Sequence, residues 1–224
     1  MPVEQQVKSL LASTSGLDLS VLIALLVGVV GVLLLLLRRV FVSKKRRVVI
    51  CGPMDAGKTA LFLHLVGREG DTVTSMEKNE GTIGQNVTLV DVPGHGSRLG
   101  LQQAELRRCS RCIVVLDSAS AASVTAAART LFHALQQARV PVLVLLNKND
   151  LPNARDVSLV RRALLREVTS LRDSENSMAD LTASSDKKRA LPGGELSFEQ
   201  LQVTLLSASV TRGDIDAVRQ FALH

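Results

Sequence analysis

The sequence predicts a mostly parallel α/β sheet with helices on both faces, preceded by one helix long enough to span a bilayer. Three observations predict it. An uncharged apolar run occupies Leu19–Leu37. From Arg47 onward, short apolar runs of strand type alternate with segments of helical spacing. A glycine-containing loop joins the first of those strands to the first of those helices. The chain has 224 residues, so roughly 180 remain outside the apolar run, enough for one globular domain.

The apolar run reads LSVLIALLVGVVGVLLLLL. At about 1.5 Å rise per residue it spans roughly 28 Å, close to the hydrocarbon thickness of a bilayer. A cleaved signal peptide would carry its cations before a shorter apolar run and end in small residues. Here the cations follow: Arg38, Arg39, Lys44, Lys45, Arg46 and Arg47. Only Lys8 is basic before the run. The positive-inside rule therefore puts residues 1–18 on the far side and the long C-terminal part in the cytosol. Gly28 and Gly31 are three apart, so they do not form the four-residue spacing of a GxxxG helix pair.

Those six cations also account for the formal net charge of +6. The rest of the chain is neutral overall, so the basic character is a patch beside a membrane segment and not a nucleic-acid surface. Aromatic residues make up 2% of the chain, with no Trp or Tyr. Base-stacking platforms are thereby nearly excluded, and no direct nucleic-acid partner is expected. Cys51, Cys109 and Cys112 are too few and too odd in number for a disulfide framework. Cys109 and Cys112 form a single CxxC, read here as reduced thiols at the start of a buried strand.

The elements follow in order. Arg47–Cys51 is an apolar strand, Lys58–Val66 a helix and Val87–Val92 an alternating strand. Cys112–Asp117 is a buried strand, Ala121–Arg139 a helix and Val140–Leu146 a second buried strand. Asp156–Leu171 is a helix, Val203–Leu206 a strand and Gly213–Leu223 a closing helix. Residues 173–195 are rich in Ser, Asp, Lys and Gly and show no periodicity, so they read as a flexible surface insertion. The expected division is 1–18, 19–37 (span), 38–46 (basic linker) and 47–224 (domain).

Four short motifs sit at strand ends. Gly52, Pro53, Met54, Asp55, Ala56, Gly57, Lys58 and Thr59 fit the phosphate-loop pattern GxxxxGK[ST] in the strand–loop–helix setting it requires, with Ala60 opening the helix behind. A loop that wraps phosphates turns its N–H groups inward, and Gly52 and Gly57 permit the backbone angles. The helix N-terminus adds positive potential. Lys58 can bridge the β- and γ-phosphates, and the Thr59 hydroxyl can ligate Mg²⁺. Asp91-Val92-Pro93-Gly94-His95 begins 33 residues after Lys58. There Asp91 is expected to hold Mg²⁺ through water, and the Gly94 N–H to sense the γ-phosphate. Asn147-Lys148-Asn149-Asp150 ends another strand. Asp150 can accept two hydrogen bonds from guanine but not from adenine, Asn147 can tie the loops together, and the stem of Lys148 can cover the base. Ser207-Ala208 ends the last strand, where the Ala208 N–H is expected to meet guanine O6. All four lie where α/β sheets bind ligands.

In order and spacing these motifs resemble the small GTPase superfamily. With the N-terminal span, the DxPGH string, the late insertion and the ending Gly213–Val218, the chain resembles the signal recognition particle receptor subunit beta family. The resemblance implies a phosphate-loop NTPase fold binding GTP and GDP with Mg²⁺. It implies heterodimerisation with the receptor alpha subunit, indirect contact with the particle and the ribosome, and a single-pass place in the endoplasmic reticulum membrane with the GTPase domain cytosolic.

The switch residue that contacts Mg²⁺ is assigned to Asp71, Thr72, Val73, Thr74 and Ser75, with Thr74 first and Ser75 second. Thr82 sits in a Gly-Thr-Ile-Gly string, but Asp91 follows only nine positions later. His95 stands where many GTPases place a water-orienting side chain, so it is the expected catalytic residue of a slow hydrolysis, or else a partner contact. An Arf/Sar-type trafficking GTPase and a non-cycling, nucleotide-loaded scaffold are the competing functions. Pro2 stands where N-myristoylation would need a glycine.

Overall fold

A computed structural model describes residues 19–41, 45–68, 70, 77–138, 140–181 and 190–224. The chain divides into two compact units, Met1–Lys44 and Lys45–His224. In the first, helix α1 runs Leu19–Phe41, 23 residues. It continues past the expected end at Leu37 because nothing in Arg38-Arg39-Val40-Phe41 breaks a helix. Among the described residues no helix is long and apolar enough to cross a membrane. The structure describes the side chains of α1 only at 21 and 23–34, so the expected span rests on its sequence.

The second unit is built on a six-stranded sheet of order β2-β3-β1-β4-β5-β6. Its strands are β1 (Arg46–Cys51), β2 (Asn79–Ile83), β3 (Val87–Asp91), β4 (Arg111–Asp117), β5 (Val142–Asn147) and β6 (Val203–Ser207). Only β2 is antiparallel, pairing with β3; the other pairs are parallel. The helices are α2 (Lys58–Val66), α3 (Leu99–Leu106), α4 (Ala121–Gln137), α5 (Val157–Leu181) and α6 (Asp216–Leu223).

Period-two alternation divides the central strands between two cores. Val49, Cys112, Val114, Val144 and Leu146 pack with Leu131 of α4 and Leu164 of α5. Val48, Ile50, Ile113, Val115 and Leu145 pack with Leu61 of α2 and Val218 of α6. With both faces covered, the strands are near-continuous aliphatic runs, which is why they were visible in the sequence.

Helix α3 has no counterpart in the sequence expectation, and three further features differ from it. Strand β2 reads NEGTI, with little strand propensity. A Cβ on Gly81 would lie 2.7 Å from Val66 Cγ2, so glycine lets β2 pass over α2. Helix α5 continues to Leu181, ten residues beyond the expected end, into the segment read as a loose insertion. Its added turns are rich in Asp, Ser and Asn, weak helix formers, and are held by polar contacts: Gln136 of α4 hydrogen-bonds Glu175, and the Ser174 and Ser177 hydroxyls donate to the carbonyls of Ser170 and Asp173 one turn back. The far end of that insertion is docked as well. Leu191 and Leu196 are buried, and the buried Arg172 guanidinium donates to the carbonyls of Pro192 and Gly194, each at 2.7 Å.

Three of the six clustered cations, Lys45, Arg46 and Arg47, belong to the second unit. Arg46 and Arg47 open β1, one residue before the expected boundary. Arg46 donates to the His224 carbonyl at 2.9 Å, at the end of α6. Arg47 pairs with Glu80 at 2.6 Å and Glu105 at 2.9 Å.

Candidate nucleotide site

The order of strands reverses about β1, and the loop leaving β1 lies at that reversal. Gly52 and Gly57 have φ of 140° and 90°. A Cβ on Gly52 would strike the Val115 carbonyl oxygen at 2.1 Å, and one on Gly57 would strike Asn147 Nδ2 at 2.3 Å. Helix α2 starts at Gly57 with no side-chain cap. Its first N–H groups and its dipole are therefore directed toward whatever occupies the loop.

The loop opens on a cavity of about 430 Å³, a size suited to a small-molecule ligand. Of the expected residues, Met54, Asp55, Gly57, Lys58, Thr59, Ala60, Asp91, Gly94, Asn147, Lys148 and Asp150 line it. Gly52, Pro53 and Ala56 form the loop backbone behind it. Lys58 is buried and donates to the Pro53 carbonyl at 2.6 Å. Burial lowers its pKa, with the nearby Asp91 carboxylate the largest opposing influence. Gly94 packs against the loop so closely that a Cβ there would lie 2.8 Å from Lys58 Nζ.

At the metal end, Thr59 Oγ1 donates to Asp91 Oδ2 at 2.9 Å. A hydroxyl that donates to a carboxylate keeps lone pairs for a cation. Asp91 is 1% exposed, and burial raises its pKa despite hydrogen bonds from Thr59 and Asn79 and the charge of Lys58. Its Oδ1 is buried and has no hydrogen-bond partner among the described residues.

At the other end, Asn147 binds three segments. Its Nδ2 donates to the Ala56 carbonyl at 2.9 Å, and its Oδ1 accepts from Val210 N at 3.0 Å. Its backbone carbonyl accepts from the Ser118 hydroxyl at 2.8 Å. Lys148 has φ of 60°, and its ammonium pairs with Asp117 Oδ2 at 2.7 Å. Asp150 is half-buried. Hydrogen bonding from the Ser209 hydroxyl, then from a backbone amide, holds its pKa below the usual carboxylate range. Its Oδ1, like that of Asp91, is buried without a partner among the described residues.

The expectation for the last strand end requires correction. Ala208 is 2% exposed, and its N–H donates to the Leu146 carbonyl at 3.0 Å. Sheet pairing consumes that donor, so it is not available to a base. Ser207 ends β6 and does not line the cavity; Val210 and Thr211 do. Leu151, Asp117 and Asn79 were also missed. The signal that would have found Asp117 is its position at the carboxyl end of β4.

His95 is not brought into the cavity. It is exposed, and its Nδ1 lies 2.8 Å from Ser97 Oγ and accepts from Ser97 N at 3.2 Å, capping the short 3-10 turn Gly96–Arg98. Thr82 lies within β2 opposite Thr88, across a three-residue turn at 84–86. The switch residues expected at Asp71–Ser75 lie outside the described residues. Among the described residues no group of three His, Cys, Asp or Glu side chains could hold a metal. Cys51 and Cys112 are buried with sulfurs 3.5 Å apart. Burial pushes the Cys109 thiol up to about 12, the behaviour of inert thiols.

A family model described as "Signal recognition particle receptor beta subunit" matches residues 43–205. The chain belongs to that family. Among curated relatives, the signal recognition particle receptor subunit beta of Rattus norvegicus is 32% identical over 220 residues, covering 88% of this chain and 81% of the relative. A solved structure of the mammalian SRP receptor aligns with TM-score 0.66 and 28% identity over 79% of this chain and 97% of that one. The SRb-GTP/SRX complex from Chaetomium thermophilum aligns with TM-score 0.58 over 75% of this chain and 92% of that one. At 21% identity it shows the fold alone.

The cavity fits the nucleotide such a family fold would hold. A Cβ on Gly94 would crowd the loop, and two buried carboxylate oxygens of the lining, Asp91 Oδ1 and Asp150 Oδ1, have no partner among the described residues.

Proposed function

We propose that this receptor beta-family chain binds GTP and GDP with Mg²⁺ in the Gly52–Thr59 cavity. Bound Mg²⁺ would neutralise charge between the β- and γ-phosphates. The loop amides and Lys58 bind the phosphates, Thr59 and Asp91 hold the metal, and Asp150 reads guanine. Asn147 keeps the phosphate and base loops in fixed register.

In this reading α1 spans the endoplasmic reticulum membrane once and leaves the domain in the cytosol. Its apolar stretch Leu19–Leu37, at about 1.5 Å per residue, matches the hydrocarbon thickness, and the cations that begin at Arg38 set the orientation. The GTP-bound domain then holds the receptor alpha subunit at that membrane for co-translational targeting. Support comes from the family match and from the likeness to the mammalian SRP receptor structure.

One observation carries the nucleotide reading: the buried oxygens of Asp91 and Asp150 that have no partner among the described residues share one cavity with the phosphate loop. The test is nucleotide competition on the full chain in detergent, wild type against Asp150→Asn. The variant should lose guanine preference by about 10⁴-fold, the scale set by leaving buried polar groups unpaired, and gain xanthine binding. Unchanged guanine preference overturns the placement of the base.

A further inference from the structure

The β2–β3 hairpin brings one more residue to the metal end of the cavity. Asn79, the first residue of β2, is the register partner of Asp91, the last of β3. Its amide nitrogen donates to Asp91 Oδ2 at 3.2 Å, the same oxygen that accepts from Thr59. Two donors converging on one oxygen from different elements fix the rotation of the carboxylate. The other oxygen, Oδ1, is then left buried, unpartnered among the described residues and fixed in direction. An amide is suited to this task because it donates without bringing a positive charge that would compete with a cation.

Asn79 is itself held from both sides. Successive residues of a strand point to opposite faces, so Glu80 points away from Asp91, and Lys78, just before the strand, reaches Glu80. Both join one ion-pair network. Lys78 pairs with Glu80 at 2.9 Å and with Glu105 at 3.0 Å, while Arg47 pairs with Glu80 and with Glu105. The Glu105 side chain is 6% exposed. The network therefore fastens the amino end of β2 to β1 and to α3, the helix that follows the Asp91–His95 string.

We propose that Asn79 is a positioning residue for the divalent cation. It orients Asp91 so that Oδ1 is presented to the metal, and the Arg47–Glu80–Lys78–Glu105 network holds Asn79 in place. The inference rests on the nucleotide reading above and adds to it a residue outside the cavity lining. A role purely in folding would alter nucleotide binding with and without metal alike, whereas a positioning role acts on the metal alone.

The experiment measures release of a fluorescent methylanthraniloyl-GDP from the full chain in detergent, with Mg²⁺ titrated against EDTA. In Asn79→Ala, GDP affinity in EDTA should stay within about twofold of wild type, while the Mg²⁺ concentration that half-slows release rises about tenfold or more, the usual scale for partners of metal ligands. In Glu105→Gln the midpoint should move the same way by about threefold. An unmoved midpoint in Asn79→Ala, or a parallel loss of GDP affinity in EDTA, overturns the proposal. If Asn79→Ala does not fold, Glu105→Gln decides: an unmoved midpoint overturns it. Failure of the nucleotide reading looks different, because wild type would then retain no GDP at any Mg²⁺ concentration.

Discussion

The metal end and the base end of the cavity each present one buried carboxylate oxygen without a partner among the described residues, yet their electrostatics are opposite. Asp91 is deeply buried, and desolvation raises its pKa above the ordinary range. Asp150 is held below that range, chiefly by the Ser209 hydroxyl. A carboxyl whose charge is disfavoured gains most from a cation, which restores the ionised form. One already stabilised as an anion needs only neutral donors, such as those on a guanine edge. The same residue type is thus prepared for two different ligands by its surroundings.

Asn147 is the link between the two ends, and removing it should have the largest effect. Asn147→Ala leaves the Ala56 carbonyl and the Val210 N–H unpaired in a buried setting. At 1–3 kcal/mol for each uncompensated group, the expected loss is about 3 kcal/mol of stability, read in urea unfolding. Guanine selectivity and Mg²⁺ dependence should deteriorate together. If only one of them changes, the ends are not coupled through this side chain.

Acid should distinguish the ends next. Burial pulls the Glu105 carboxyl upward, but hydrogen bonds from Lys78 and Arg47 outweigh it and hold its pKa below the ordinary value. A carboxyl depressed in the folded state stabilises above its unfolded pKa, and that stability is lost as pH falls through the lower folded pKa. Glu105→Gln should therefore cost about 1 kcal/mol at neutral pH, since the pairs are partly exposed, and flatten the acid limb of stability against pH. The comparison is thermal unfolding of wild type and variant from neutral to acid pH. An acid limb of unchanged slope would mean that the network contributes nothing to holding β2.

The two ends also differ in how much of them the sequence disclosed. The phosphate loop, Asp91 and the Asn147–Asp150 string are local patterns at strand ends, and the strands announce themselves as aliphatic runs. Asn79 carries no such signal. Its contact exists because an antiparallel register sets it opposite Asp91, and the strand that positions it contains a glycine dictated by Val66. Helix α5 outran its apolar stripe because its last turns rest on single polar contacts and not on apolar packing. His95 was placed by analogy of position, and the structure gives its ring to Ser97. A motif states which residues are adjacent in the chain; it does not state which hydrogen bonds the sheet has already taken.

That last point applies to the end of β6 and yields the smallest expected effect. Ser207-Ala208 and Ser209-Val210 are equivalent as strings, and both follow an aliphatic strand. The sheet separates them, because the Ala208 N–H is bound to Leu146 while the Val210 N–H meets Asn147. The Ser209 hydroxyl reaches Asp150 and also accepts from Arg212 N at 3.3 Å. Ser209→Ala should weaken GDP binding about fivefold, the worth of roughly 1 kcal/mol for one hydrogen bond. The loss should shrink in an Asp150→Asn background, where the orienting bond has less to orient. Ser207→Ala should leave GDP affinity unchanged, because its side chain does not line the cavity. A larger loss from Ser207→Ala than from Ser209→Ala would return the base contact to the earlier pair, and would require β6 to release its final ladder bond when nucleotide binds.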